Sequence, residues 1–404
     1  MNPPRQLGLV SATALVVANM IGTGVFTTSG FLLADLKSPW TVLAAWAVGG
    51  LIAALGALCY GALARRLPES GGEYFFLSRT LHPAAGVAAG WVSLLVGFSA
   101  PLAAAAFAFG EYARPWLPGI QVKWMGSALI ALFAALHAAH VQRGAWVQNA
   151  AVILKVLLIG VFVVFGLSRL HPQEALGPST HAVSDFAIAL VWVSFSYSGW
   201  NAAIYLGGEV RHPERNLPLS LLLGTGLVTL LYLALNAVFV FSTAPASLAG
   251  KLEVGRIAAE AMGGPRLADA CTALVALVLI SSVSSLIMAG PRVYARMAQD
   301  GFLPRWLAST AGPPRAAILL QTALALLMLW TATYDQLLTA IGFTLSLSTA
   351  ATVVGLMRLR WREGAQLKVP GWPVVPLLFL GFVVFMTGFT AWRAAKHLLN
   401  LFAN

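Results

Sequence analysis

The chain has 404 residues, of which 59% are hydrophobic and 10% charged, with a formal net charge of +11. A soluble chain carries about 25% charged residues, so there are too few polar side chains here to coat a water-facing surface. That excludes a disordered protein, a secreted domain framed by disulfides (Cys59 and Cys271 are the whole supply) and an ordinary cytosolic enzyme, and it places the chain in a bilayer.

A spanning helix takes about 20 mostly apolar residues, and backbone groups in lipid must bond within their own segment. Eleven spans are predicted in chain order: Leu7–Ala34, Trp40–Ala64, Ala84–Phe109, Trp124–Ala139, Trp146–Leu167, Phe186–Gly208, Leu219–Phe241, Leu267–Ala289, Ala316–Ala332, Leu337–Met357 and Val374–Ala391. The fourth and ninth are short. The first apolar run continues past any plausible cleavage site, so it reads as a span and not as a signal peptide. Basic residues lie singly between apolar runs, which reads as a topology signal, and no nucleic-acid partner is expected. They are denser on the side of the N-terminus, with Arg65, Arg66, Arg79, Arg292, Arg305, Arg315, Arg358, Arg360 and Arg362. The N-terminus is therefore expected in the cytoplasm, and the longest connections, Ser168–Asp185 and Ser242–Arg266, outside. Neither connection is domain-sized, so the whole chain reads as one membrane domain.

Two spans should not be continuous. The first carries Ile21-Gly22-Thr23-Gly24-Val25 at mid-depth, and the sixth carries Ser194-Phe195-Ser196-Tyr197-Ser198-Gly199-Trp200-Asn201. Glycine costs about 1 kcal/mol relative to alanine inside a helix. Either patch alone fits close helix packing. As a pair they point to a transporter site, because interrupted spans at corresponding positions of two halves mark such sites. The halves would be inverted five-span repeats, residues 7–168 and 185–358, with an extra span over 373–392. Freed amides at the start of each second half-helix attract an anion, and freed carbonyls at the end of each first half attract a cation. A zwitterion satisfies both, so the expected solute is an amino acid. Asn201, which opens the second half of the sixth span, is a further candidate.

Lys155 is tenth in its span, roughly 15 Å of helix from either end at 1.5 Å per residue, too far to snorkel. A central lysine costs about 2.5–3.5 kcal/mol on insertion scales and usually faces a bundle interior or cavity. Two roles stay open: a fixed ammonium bonded to the carbonyls of the broken first span, or a group that gains and loses a proton. No acidic residue is placed at mid-depth. Asp185, Glu209 and Asp269 lie at span ends, and Glu111 lies near the outer end of the third span. That disfavours a carboxylate proton relay and a cationic solute. Glu209, Arg211, Glu214 and Arg215 form either an inner gate of ion pairs or a solvated loop.

These residues carry a pattern. Ile21-Gly22-Thr23-Gly24-Val25-Phe26 resembles the glycine-rich break of the amino acid–polyamine–organocation transporters. Pro68-Glu69-Ser70-Gly71-Gly72-Glu73-Tyr74 is similar to their loop before the third span, and Phe195 to Pro218 to the sixth span of the L-type amino-acid transporter branch. Pro291-Arg292 and Asp300-Gly301-Phe302-Leu303-Pro304 look like the end of the family's eighth span. The resemblance implies an all-α leucine-transporter-type fold, with 5+5 inverted repeats and alternating access. It implies a carboxylate on the amides of Thr23, Gly24 and Val25, with Gly22 beside them. It implies an ammonium on carbonyls near Ala18, Ile21, Phe195 and Ser198, in a site that also holds Gly199 and Asn201. Phe195 would gate the outer side. Lys155 matches a lysine that replaces sodium in sodium-independent members, with Ser281 and Ser282 as weaker candidates nearby. Ser198 stands where the branch usually has glycine, which would narrow the pocket and favour small solutes. The family normally has twelve spans, one more than predicted here.

No metalloprotease, nucleophile-elbow or phosphate-loop motif is present, so the chain is not expected to be an enzyme, and no cofactor or metal is expected. The reading is sodium-independent transport of neutral, small L-amino acids across the plasma membrane, as an exchanger or a proton-linked carrier. The alternatives are a carrier of cationic amino acids or polyamines, and a non-transporting sensor. Some L-type relatives pair with a single-span glycoprotein through a disulfide, yet neither cysteine lies in a suitable outer loop, so no accessory single-span subunit is expected.

Overall fold

The computed structural model describes residues 7–69, 71–139, 144–171, 173–177, 183–308 and 313–402, without the side chains of 144–151, 296 and 397–402. Ser70 of the loop motif lies outside these residues. The first span is two helices, α1 (Leu9–Met20) and α2 (Gly24–Leu36), bent by 42° at the glycine-rich break. Lys37 ends α2 in a left-handed conformation, and Ser38 with Pro39 at the first helical position starts α3 (Pro39–Arg66). Proline suits that position because its missing N–H has no helical partner there in any case. The short α4 (Gly72–Thr80) leads to α5 (Pro83–Val92), a π-helical segment Ser93–Ser99 and α6 (Ala100–Ala113). There follow α7 (Val122–Ala139), α8 (Gly144–Leu167), α9 (Val183–Tyr197), a 3₁₀ segment Ala202–Glu209, and α10 (Pro213–Phe241). The chain continues through α11 (Pro245–Leu248), α12 (Val254–Gln299), α13 (Arg315–Thr331), α14 (Tyr334–Glu363) and α15 (Val374–Phe402). A capping box of Thr333 and Gln336 opens α14.

The architecture is all-helical among the described residues, with one isolated bridge between Leu7 and Val210. Among the described residues eight helices are long and apolar enough to cross a membrane, nine when α1 and α2 count as one span; Val152–Leu167 and Arg315–Thr331 are shorter apolar helices. Each of the eleven predicted spans coincides with one of these helices or with a broken pair. Outward-facing side chains are apolar, among them Val10, Trp124, Val161, Leu230, Leu319 and Val384, which only a lipid surround accommodates at that density.

The helices depart from the predicted spans in three places. The third span is continuous over Pro83–Ala113 but not α-helical throughout: Pro101 has no N–H to donate, and the turn before it widens to a π segment in which Ser99 Oγ donates to Leu94 O (2.8 Å). The eighth begins earlier, at Val254, and breaks at Gly263 and Gly264, so much of the Ser242–Arg266 connection is helical. The second half of the sixth is a 3₁₀ segment kinked at Leu206 beside Gly207 and Gly208, not an α-helix.

Around the two breaks, α1 and α3 pack on α10, while α9 packs on α2, α3, α14 and α15. Beyond the α1–α2 break stands an aromatic cluster. Tyr334 is stacked with Phe31 and Phe107 at 6.1 and 5.7 Å between centroids, Trp192 meets Phe31 edge-on, and Tyr334 Oη lies 2.8 Å from Thr27 Oγ1.

Candidate functional site

A helix leaves its last four carbonyls and first four amides without partners, so a break at mid-depth exposes both. Here α1 makes its last helical bond from Ile21 N to Val17 O (3.1 Å), and three of the carbonyls that follow, those of Ala18, Met20 and Ile21, find side-chain donors. Lys155, 2% exposed on α8, donates from Nζ to Ala18 O (3.0 Å) and to Ile21 O (3.1 Å). Tyr232 Oη donates to the carbonyl of Met20 between them. This is the contact set that the first of the two roles for Lys155 requires. On the other side of the break Thr23 caps α2 with no side-chain bond, so the first amides of α2 are unclaimed by a cap.

The sixth span turns at Ser198–Asn201. Ser198 N donates to Phe195 O (2.9 Å), Ala202 N to Gly199 O (2.9 Å), and Ile204 N to Asn201 O (3.1 Å). Gly199 takes φ +95, a conformation that an L side chain rarely adopts. The breaks meet each other: a Cβ at residue 24 would stand 2.5 Å from Ser196 Cα.

Between them lies a cavity of about 320 Å³, at the small end of the range for ligand pockets. Ala18, Gly22, Thr23 and Gly24 line it from the first break, and Phe195, Ser198, Gly199 and Asn201 from the second. Ser282 lines it from α12, and the exposed Arg292 lies at its rim. Ile21, Val25, Lys155 and Ser281 are not among the lining residues; Ile21 and Val25 are fully buried, and Lys155 reaches only the carbonyls behind the wall.

Glu209, Arg211 and Arg215 stand away from the cavity. Among the described residues no ion pair joins them or Glu214. What ties this region is main chain: Leu7 N donates to Glu209 O (3.0 Å), and Arg211 N donates to Leu7 O (2.8 Å). Arg211, Glu214 and Arg215 are exposed, and exposed charges gain little from pairing. The ion-pair alternative is not seen among the described residues.

One residue corrects the expectation that the pocket holds no acidic group. Glu73, 3% exposed at the start of α4, lines the cavity and accepts bonds from Tyr60, Asn201 and Ser348. It lies outside every apolar run, so hydropathy assigned it to a loop. The loop motif contained it, and the two glycines before it were the available signal that the chain turns inward there.

A multi-pass helical membrane protein whose cavity lies between two broken spans is built as a transporter. A family model described as amino acid permease matches residues 7–400, and the chain belongs to that family. Large neutral amino acids transporter small subunit 2 of Mus musculus is 29% identical over 410 residues, covering 96% of this chain and 76% of its own. Asc-type amino acid transporter 1 of Mus musculus is 28% identical over 408 residues, covering 96% and 76%. The b(0,+)-type amino acid transporter 1 of Mus musculus is 26% identical over 404 residues, covering 94% and 82%. The words "small subunit" in one of these names describe a part of a larger assembly, so the expectation that no accessory subunit exists has no support.

Proposed function

We propose that the chain carries neutral, small L-amino acids across the plasma membrane by alternating access, without sodium, as an exchanger or a proton-linked carrier. The observation that carries this reading is Lys155 Nζ bonded to Ala18 O and Ile21 O at the end of α1. A fixed ammonium there does the electrostatic work of a bound monovalent cation, and the solute is left with the start of α2 for its carboxylate. Thr23, Gly24 and Val25 supply the amides in this reading. Each carbonyl oxygen has two lone pairs, so Ala18 and Phe195, which line the cavity, retain acceptor capacity for the solute ammonium beside the donors they already have, while Ile21 O, away from the lining, is left to Lys155. Phe195 is the gate on one side of the bound solute.

The same reading takes residues 7–168 and 185–358 as inverted repeats, with a cytoplasmic N-terminus. The cavity then reaches towards the cytoplasmic side through Leu206 and Arg292, and the Tyr334 cluster closes the other side. Glu73 gives the cationic alternative an acidic group in the cavity, but three donors already bond to it and occupy three of its roughly four lone-pair sites, so the neutral reading is preferred.

The test is uptake of a labelled amino-acid panel, arginine included, into proteoliposomes holding the chain alone. Acceleration by internal amino acid or by a pH gradient, with no response to sodium, is expected. Sodium-dependent uptake would sink the role given to Lys155, and uptake that appears only with a partner subunit added would show that the chain works as part of an assembly.

A further inference from the structure

Glu73 Oε1 accepts from Tyr60 Oη (2.8 Å) and from Asn201 Nδ2 (3.0 Å), and Oε2 accepts from Ser348 Oγ (3.2 Å). The donors come from α3, from the break in the sixth span and from α14, three elements far apart in the chain. A buried carboxylate is tolerated only when such bonds replace its water, and among the described residues Glu73 is the only acidic side chain lining the cavity.

The backbone is shaped to bring it there. Gly72 has φ +58, and a Cβ on it would stand 2.2 Å from Tyr205 Cε1, so α4 begins hard against the 3₁₀ segment. On the facing side, a Cβ at Gly207 would stand 2.8 Å from Pro68 O. The connector before α4 and the 3₁₀ segment therefore lie against each other, and Glu73 is delivered to Asn201.

Asn201 occupies the cap position of the 3₁₀ segment, yet its side chain makes no capping bond. Its amide goes to Glu73 instead. With Glu73 ionised, as its three donors favour, the carboxylate only accepts, so the nitrogen of the amide faces it. A planar amide anchored through its nitrogen has its oxygen direction set as well.

We infer that Glu73 is a positioning residue: by holding Asn201 Nδ2 it sets Asn201 Oδ1 as an acceptor for a hydrogen-bond donor of the transported solute. This deepens the transport reading and rests on it. Glu73 itself need not touch the solute.

The test is uptake of labelled alanine by the reconstituted full chain, with size-exclusion profiles confirming that each variant is folded. Glu73→Gln keeps an oxygen for Asn201 and should stay within about threefold of the wild-type KM. Glu73→Ala frees the amide and should raise KM about tenfold or more, with a smaller change in maximal rate. Asn201→Asp sets two carboxylates against each other and should cut uptake at least about tenfold. Joining Asn201→Asp to Glu73→Gln reverses donor and acceptor across the same pair and should restore uptake to within about threefold. That recovery is a readout a merely packed glutamate would not give, and it decides the matter even where Glu73→Ala fails to insert. Uptake by the wild-type chain without recovery in the paired variant overturns the role of Glu73 alone. No uptake by the wild-type chain, either alone or with a partner subunit added, overturns the transport reading, and this inference with it.

Discussion

Gly199 lies against the main chain of Asn19, so close that a Cβ on residue 199 would stand 2.7 Å from the Asn19 carbonyl oxygen. The two interruptions thus pack directly on each other, with room for a glycine and no larger residue at 199. Interfaces this close behave as discrete arrangements and not as continuous springs.

Gly199→Ala meets both obstacles, the positive φ and the Asn19 carbonyl. Backbone strain of this kind costs on the order of 1–3 kcal/mol. Thermal melting of the purified variant should show a lowered midpoint, and uptake should fall at least about tenfold. A wild-type midpoint together with wild-type uptake would show that the breaks are not locked in register.

Lys155→Ala removes the donor shared by Ala18 O and Ile21 O. Hydrogen bonds to charged groups are worth about 1.5–3 kcal/mol each. Uptake is expected to drop at least about tenfold while the protein still elutes as a single folded species. Unchanged uptake removes Lys155 from the mechanism.

Ser198→Gly enlarges the cavity on the sixth-span side, where Ser198 is a wall residue. One or two heavy atoms of pocket space discriminate by about 10- to 200-fold between side chains. Competition assays should show leucine and phenylalanine gaining on alanine by about tenfold. An unaltered ranking of solutes would refute the narrowing assigned to Ser198.

Tyr334→Phe keeps the stack on Phe31 and Phe107 but loses the bond to Thr27. A neutral hydrogen bond contributes about 1 kcal/mol net, which is roughly a fivefold change in an equilibrium between closed and open. The readout is the rate at which an impermeant thiol reagent, added on the Tyr334 side, reaches a cysteine placed by Ser346→Cys. Roughly fivefold faster labelling is expected, and no change would show that the hydroxyl is not part of the closure. The native Cys59 and Cys271 are buried and should give little background.

The features legible in the sequence were those written by composition over a whole turn or more. Long apolar runs gave the helices, the glycines at 22 and 24 gave the bend, and an unaccompanied charge at 155 marked a position where lipid cannot be the neighbour. What escaped was decided by geometry between distant segments. Glu73 sits in a polar stretch, and only the approach of α3, α14 and the sixth-span break makes its position interior. The widened turn at Ser93–Ser99 was hidden because its residues are apolar enough for a helix of any pitch, though Pro101 was a hint. The 3₁₀ form of Ala202–Glu209 escaped for the opposite reason: hydropathy is blind to whether a turn holds 3.0 or 3.6 residues.

The cation at the end of α1 is part of the polypeptide and can neither arrive nor leave. A carrier that loads a dissolved ion can draw on the electrochemical gradient of that ion, whereas a tethered charge is present on every journey, loaded or empty, and contributes no driving force. In the proposed reading, with Lys155 as a fixed ammonium, any solute this chain accumulates uphill is therefore moved at the expense of something else that travels, and not of a sodium ion held at that point.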